Sequence, residues 1–252
     1  MKSLTPKRLK SLNPKSSGRN HSGKITVRHQ GGRQKRFLRA IDWKRSLTVP
    51  AKVIAIQYDP NRTADIALLA YSNGVKNYIL APHNLKVGDV IVSSETAEIK
   101  AGNCLPLRNI PLGVEIHCLE ITPGKGAQMV RGAGNVALVQ SKDGDTVTVK
   151  LPSGEVRVFK GACKATIGML SNPEHRHEQI GSAGRARHMG RRPTVRGVAQ
   201  DPRSHPHGGG EGRSGIGLKS PKSVYGKRVM GVRTRNKKKY SNHVIIKRRY
   251  SK

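Results

Sequence analysis

Acidic side chains are scarce in this chain. Fifteen Asp and Glu stand against 48 Lys and Arg, leaving a formal net charge of +33 and a pI near 11.0. That excess goes far beyond what solubility requires and points to a polyanionic partner, with nucleic acid first. Aromatic residues are also few, at 4% of the chain. Modules that hold single strands rely on aromatic stacking platforms, so the shortage argues for recognition of folded RNA through phosphates, 2′-hydroxyls and shape. Cys104, Cys118 and Cys163 are odd in number and show no CxxC spacing. They read as small buried hydrophobes of a reducing compartment rather than as zinc ligands or a disulfide framework. No apolar run reaches membrane-spanning length, so no membrane partner is expected. The basic, Ser-containing stretch over residues 2–19 lacks the apolar core of a secretory signal and is similar in composition to an organelle transit peptide. It runs without a break into further basic sequence and is read as mature chain. No internal repeat is found.

The charge that is present is unevenly placed. Residues 1–45 hold 14 basic and 1 acidic side chain, residues 46–170 hold 13 and 10, and residues 171–252 hold 21 and 4. A nearly neutral centre thus lies between two cationic arms. Blocks of like charge do not condense by themselves, so the arms are expected to be extended and to order on a polyanion. Only the centre can bury a core.

That centre reads as β-structure. Residues 51–58 are rich in β-branched side chains and stop at Asp59-Pro60-Asn61, a turn signal. Residues 64–71 and 75–80 flank Ser72-Asn73-Gly74, which predicts a hairpin with a type I′ turn. Residues 86–92 add a strand entered through Gly88-Asp89. Beyond residue 105, strands are expected at 115–121, 127–130, 136–140, 146–151 and 155–159, with Asp143-Gly144 and Ser153-Gly154 at turns. Short, closely spaced strands with glycine turns indicate two small β-barrels in tandem rather than a parallel sheet with helices. The expected organisation is a basic arm over 1–45, barrels over 46–108 and 109–175, and a basic extended tail over 176–252. A short helix is expected near residues 173–181.

Several motifs carry chemistry. Arg62 follows a Pro-Asn turn, and Arg131 precedes Gly132-Ala133-Gly134. Arginines at such turns reach phosphates bidentately, or are simply exposed on a loop; local sequence leaves both readings open. Gly190-Arg191-Arg192-Pro193-Thr194-Val195-Arg196-Gly197 suits a thread following a phosphate groove; the alternative is a localisation-type basic patch. Pro202-Arg203-Ser204-His205-Pro206-His207-Gly208-Gly209-Gly210-Glu211-Gly212-Arg213 has no apolar periodicity, and its glycines let backbone lie close against another molecule. His205 and His207 there suit three roles: a metal pair, an acid–base pair, or neutral donors to a nucleic-acid backbone. No cysteine is near for a metal, and Arg203 and Ser204 supply neither a carboxylate nor a cavity. The residues therefore favour hydrogen bonding to RNA, and no metal or cofactor is expected.

With these runs in view, the chain resembles the universal large-subunit ribosomal protein two (L-two) family in its bacterial or organellar form. The matching runs are Ser17-Gly18-Arg19-Asn20, Gly23-Lys24-Ile25-Thr26-Val27-Arg28-His29, Tyr58-Asp59-Pro60-Asn61-Arg62 and Tyr78-Ile79-Leu80-Ala81-Pro82. Gly102-Asn103-Cys104-Leu105-Pro106-Leu107, Pro123-Gly124-Lys125-Gly126, residues 190–197 and residues 205–213 follow in family order. The resemblance implies an oligonucleotide-binding (OB-fold) barrel followed by an SH3-like barrel, with tails reaching into large-subunit rRNA. It implies rRNA contacts at Arg19, Arg28, His29, Arg62, Arg131, Arg191, Arg192, Arg196, His205, His207 and Arg213, with the two histidines near the peptidyl-transferase region. It also implies other ribosomal proteins as partners, indirect links to tRNA and the small subunit, and no homo-oligomer.

The chain departs from the family pattern in places. Gly31-Gly32-Arg33 stands where three glycines are usual, and His188-Met189 where an aromatic is expected. Gln200-Asp201-Pro202-Arg203-Ser204 replaces the usual Met-Asn-Pro-Val-Asp, removing the aspartate that would polarise a histidine. The amino-terminal arm is shorter than the usual bacterial one. Such drift suggests an organellar ribosome, with the mitochondrial matrix favoured over chloroplast or bacterial cytoplasm. The expected protein is a structural rRNA-binding component of the large subunit and not an enzyme. The rivals are a free basic nucleic-acid chaperone and a hydrolase using His205 and His207.

Overall fold

A computed structural model describes residues 6–210 and 213–249. The chain divides into two compact units. The first comprises Met1–Pro14, Lys35–Gln179 and Tyr240–Lys252; the second comprises Lys15–Gln34 and Ile180–Lys239.

The first unit is mainly β. Strands β1 (Lys10–Asn13) and β2 (Arg36–Arg39) form an antiparallel pair. Strands β3 (Ala51–Gln57), β4 (Ile66–Tyr71), β5 (Lys76–Leu80) and β6 (Val90–Ile91) make a four-stranded sheet in the order β5-β4-β3-β6. Strand β4 is central and covered on both faces. Ala67, Leu69 and Tyr71 pack with Val53, Ile79 and Ile91, whereas Ile66 and Leu68 pack with Leu9, Tyr78, Leu80 and Leu170. Burial on both faces explains why β4 reads as an unbroken apolar run instead of alternating.

A second sheet is built from β7 (Cys104–Pro106), β8 (Glu115–His117), β11 (Ala137–Asp143), β12 (Thr146–Lys150), β13 (Val156–Lys160), β14 (Lys164–Ile167) and β15 (Ile245–Lys247), in the order β15-β13-β12-β11-β8-β14-β7. Strands β9 (Leu119–Glu120) and β10 (Ala127–Met129) form a small pair beside it. Its core holds Leu105, Leu107, Ile110, Ile116, Val139, Val147, Val149 and Phe159. The mainly β, tandem-barrel expectation therefore describes this unit.

Local details differ from the sequence reading. Asn73 is not in the positive-φ region, so the 72–74 turn is not type I′. Instead Gly74 N–H donates to Tyr71 C=O at 2.9 Å, Tyr71 N–H to Val75 C=O, and Gly74 takes φ +79°. Three residues separate the paired positions, and that loop length selects a turn followed by a left-handed glycine. The strand expected over 86–92 shrinks to β6, because Asp89 caps the preceding turn: its carboxylate accepts Lys86 N–H at 2.8 Å. The 115–121 strand breaks into β8 and β9 at Cys118, whose φ is +49°.

Long-range pairing also redistributes the expected segments. Leu9 is buried against β4 and β5 neighbours, and β1 and β2 are regular strands, so much of residues 1–45 belongs to the first unit. Strand β7, at the end of the segment expected to form the first barrel, pairs with β14 in the second sheet. Strand β15, from a tail expected to be extended, adds to the edge of β13, with Val158 N–H on Val244 C=O at 2.8 Å.

The second unit has one short helix among its described residues, α1 (Ala183–His188), whose N-cap Ser182 Oγ accepts Arg185 N–H. The helix expected near 173–181 is a 3-10 turn over Pro173–His177 in the first unit. Among the described residues no helix is long and apolar enough to cross a membrane.

Candidate nucleic-acid interface

Both basic arms contribute to the second unit, and their backbones are tied together. Residues 16–30 fold on themselves: Thr26 and Val27 N–H both donate to Gly18 C=O, and Arg19 bridges Ile25. The Asn20 carboxamide oxygen accepts from Ser22 N–H and Lys24 N–H at 3.1 and 3.0 Å. Gly18 has φ +73°, and a Cβ there would meet Val27 C=O, so the motif needs glycine for both reasons. The loop then meets the segment after α1. Arg192 N–H donates to His29 C=O at 3.0 Å, Gly31 N–H to Gly190 C=O at 2.9 Å, and Gln34 N–H to His188 C=O at 3.1 Å. Arg28, His29, Arg191 and Arg192 are thereby brought close in space, with their side chains exposed. Arg19 is held at the Ile25 bridge, and Arg196 caps the 3-10 turn Gly197–Ala199 through its C=O. Arg213 is exposed; its neighbours Glu211 and Gly212 lie outside the described residues.

His205 and His207 are half-buried, with ring centroids 4.8 Å apart in an edge-to-face arrangement. Each uses one ring nitrogen as an acceptor. His205 Nδ1 takes His207 N–H at 3.0 Å, and His207 Nε2 takes Lys222 N–H at 2.8 Å. An accepting nitrogen must offer a lone pair, which leaves His205 Nε2 and His207 Nδ1 as the ring nitrogens free of these two bonds. The turn around them is tight. A Cβ on Gly197 would collide with the His205 ring, and one on Gly208 with the Asp201 carbonyl. Asp201 does not orient a ring: its carboxylate accepts Arg203 N–H at 2.8 Å, and its C=O accepts Ser204 and His205 N–H.

In the first unit, Arg62 and Arg131 meet over one ring. Their guanidinium carbons lie 4.7 and 4.8 Å from the centroid of Trp43, the single tryptophan of the chain. Asp59, 1% exposed, holds Arg62 Nε at 3.4 Å and Arg39 Nη1 at 3.5 Å. The same carboxylate accepts Asn61 N–H and so shapes the turn that presents Arg62. Burial lowers Arg62 from its ordinary arginine value; Asp59 opposes the shift and Arg131 adds to it.

Trp43 is itself fixed by backbone. Asp42 N–H donates to Tyr78 C=O at 2.8 Å, and Ala127 N–H to Trp43 C=O at 2.9 Å. Gly126 packs so closely that a Cβ would lie 3.1 Å from Trp43 Cβ. The 123–126 loop is set by Glu120, a carboxylate only 2% exposed. It accepts Gly126 N–H at 2.9 Å, Gly124 N–H at 3.3 Å and Lys164 N–H at 2.9 Å. Three donors satisfy a charge that would otherwise be costly to bury.

Sequence reasoning named both arginines but missed Trp43, Glu120 and Val130, whose φ of +54° precedes Arg131. A lone tryptophan in an aromatic-poor cationic chain was the one available signal. Nothing local marks Glu120 among the other carboxylates.

The three cysteines are unpaired. Burial pushes the Cys118 thiol up to about 12 and Cys163 up to about 11. Among the described residues no group of three His, Cys, Asp or Glu is arranged to hold a metal ion.

Comparison with known families gives two matches in chain order. Residues 6–93 match the model described as "Ribosomal Proteins L2, RNA binding N-terminal domain", and residues 100–226 match "Ribosomal Proteins L2, C-terminal domain".

Proposed function

Because the chain belongs to the ribosomal protein L2 family, it is a structural constituent of the large ribosomal subunit that binds rRNA, and we propose that it binds through two preorganised cationic sites. The observation that carries this reading is the backbone tie between the arms, His29 C=O to Arg192 N–H and Gly31 N–H to Gly190 C=O. It gathers Arg28, His29, Arg191 and Arg192 onto one framework, with Arg19, Arg196 and Arg213 in the same unit. Prior ordering lowers the entropy cost of docking, and phosphate neutralisation with counterion release drives it. Arg62 and Arg131 form the other site.

His205 and His207 contribute as N–H donors to RNA acceptors near the peptidyl-transferase region. Their lone pairs are occupied by backbone N–H groups, which supports a role in holding the turn rather than in proton transfer and so a protein that is not an enzyme. The finer roles we assign are support of subunit association and of tRNA binding, with contacts to other ribosomal proteins. The departures at residues 31–33, 188–189 and 200–204 support a mitochondrial ribosome.

The test is sedimentation of a native lysate through sucrose at moderately high salt. The chain is expected to travel with large-subunit rRNA, whose sequence identifies the compartment. A chain that runs free or with DNA would overturn this reading in favour of a basic chaperone. In binding measurements on rRNA, Arg191→Ala and Arg192→Ala should each reduce the salt slope by about 0.9.

A further inference from the structure

The Arg62–Trp43–Arg131 arrangement has more built into it than two basic side chains on a surface. Arginine side chains are long, and holding one in a single geometry costs rotamer entropy on binding. Here both guanidiniums already lie within 5 Å of one indole centroid, at 4.7 and 4.8 Å. Cation–π attraction acts on both at once. Two like charges over one ring repel each other, and the surroundings offset this only in part. Asp59 is the one carboxylate in ion-pair range of Arg62 among the described residues, and it is shared with Arg39. Arg39, Arg62 and Arg131 therefore outnumber the acidic side chain that serves them.

The scaffold beneath is costly to maintain. Val130 is β-branched yet takes φ +54°, a region that disfavours such side chains. Cys118 N–H on Val130 C=O at 2.9 Å holds that strained backbone in place, and the next residue is Arg131. Glu120 fixes Gly126, Gly126 abuts Trp43, and the Trp43 backbone is clasped between Tyr78 and Ala127 through its neighbour Asp42 and its own C=O. A structural tryptophan needs neither two guanidiniums over its ring nor a strained residue ahead of one of them.

We propose that Trp43 is a positioning residue for RNA recognition, its indole face holding Arg62 and Arg131 as an ordered pair that receives the phosphate backbone of folded RNA. The inference rests on the rRNA-binding reading of those two arginines and adds the residue that orients them. Trp43 touches the arginines and not the phosphates, so it alters affinity through order rather than through contact number.

The experiment uses the full chain and a transcript of the large-subunit rRNA with which it sediments. Because Trp43 is the single tryptophan, fluorinated tryptophans can be incorporated there alone. Successive fluorines drain the ring's negative face while nearly preserving its shape. Affinity should fall stepwise, to about tenfold weaker at the most fluorinated ring, with the salt slope and thermal unfolding unchanged. Trp43→Leu should weaken binding at least as much, and Trp43→Phe should restore most of it. Arg62→Ala and Arg131→Ala should each lower the slope by about 0.9. If the arginine variants change neither affinity nor slope, the rRNA reading of this site fails. If they weaken binding while fluorination leaves it unchanged, that reading stands and Trp43 is not a positioning residue.

Discussion

His207 donates its backbone N–H to Nδ1 of His205 at 3.0 Å, so the first histidine of the pair is an acceptor that holds the chain path of the second. His207 in turn accepts Lys222 N–H through Nε2. An asparagine oxygen reproduces the reach of Nδ1, and a glutamine oxygen that of Nε2. His205→Asn combined with His207→Gln is therefore expected to keep the turn and to enter the large subunit at near wild-type levels. Alanine at either position should expose the Lys222 or His207 amide to faster hydrogen exchange and reduce incorporation. Equal failure of the conservative and alanine variants would instead point to the remaining ring nitrogens, as donors to RNA or in proton transfer.

Glu120 is the buried keystone of the 123–126 loop. Replacing it with Ala strands three backbone donors, of Gly124, Gly126 and Lys164. Hydrogen bonds to a charged group are worth about 1.5–3 kcal/mol each, and partial relaxation offsets some of that loss. Glu120→Ala should destabilise the fold by about 3 kcal/mol and lower Tm by about 6–12 °C, read by thermal unfolding. Glu120→Gln should cost less, since one oxygen acceptor survives. An unchanged Tm in the alanine variant would remove Glu120 from this role.

His117 is fully buried, donates Nδ1–H to Gly168 C=O at 2.7 Å, and is pushed down to about 4, chiefly by burial, with Arg45 adding to the shift. An unfolded histidine titrates near 6.5, so between there and about 4 the unfolded chain binds a proton that the folded chain refuses. Stability from this residue is full above pH 6.5 and is lost as pH falls through that window, at about 1.4 kcal/mol per pH unit. Denaturant unfolding at pH 7 and pH 5 should differ by about 2 kcal/mol, and His117→Gln should flatten the difference. A variant with the same pH dependence as the parent would assign the effect elsewhere.

Much of the first unit was legible locally. Residues 51–57, 76–80, 146–150 and 156–160 are strands where β-branched and apolar residues cluster, because that pattern reflects a half-buried pleated surface. The short strands β7, β14 and β15 have too few residues to show a period, and their partners lie far along the chain. For the site, Arg62 and Arg131 were visible as glycine- or proline-flanked turn arginines, but the ring between them was not.

By itself the sequence determined the class of partner and the β character of the centre. Net charge and its distribution are sums over residues, and strand patterns repeat within a few positions, so neither needs a fold to be read. Tertiary structure decided which groups meet: Trp43 with Arg62 and Arg131, Glu120 with Lys164, His29 with Arg192. Those meetings depend on long loops closing and on backbone partners found across the chain, and closure is set by the whole packed core rather than by any local run of residues.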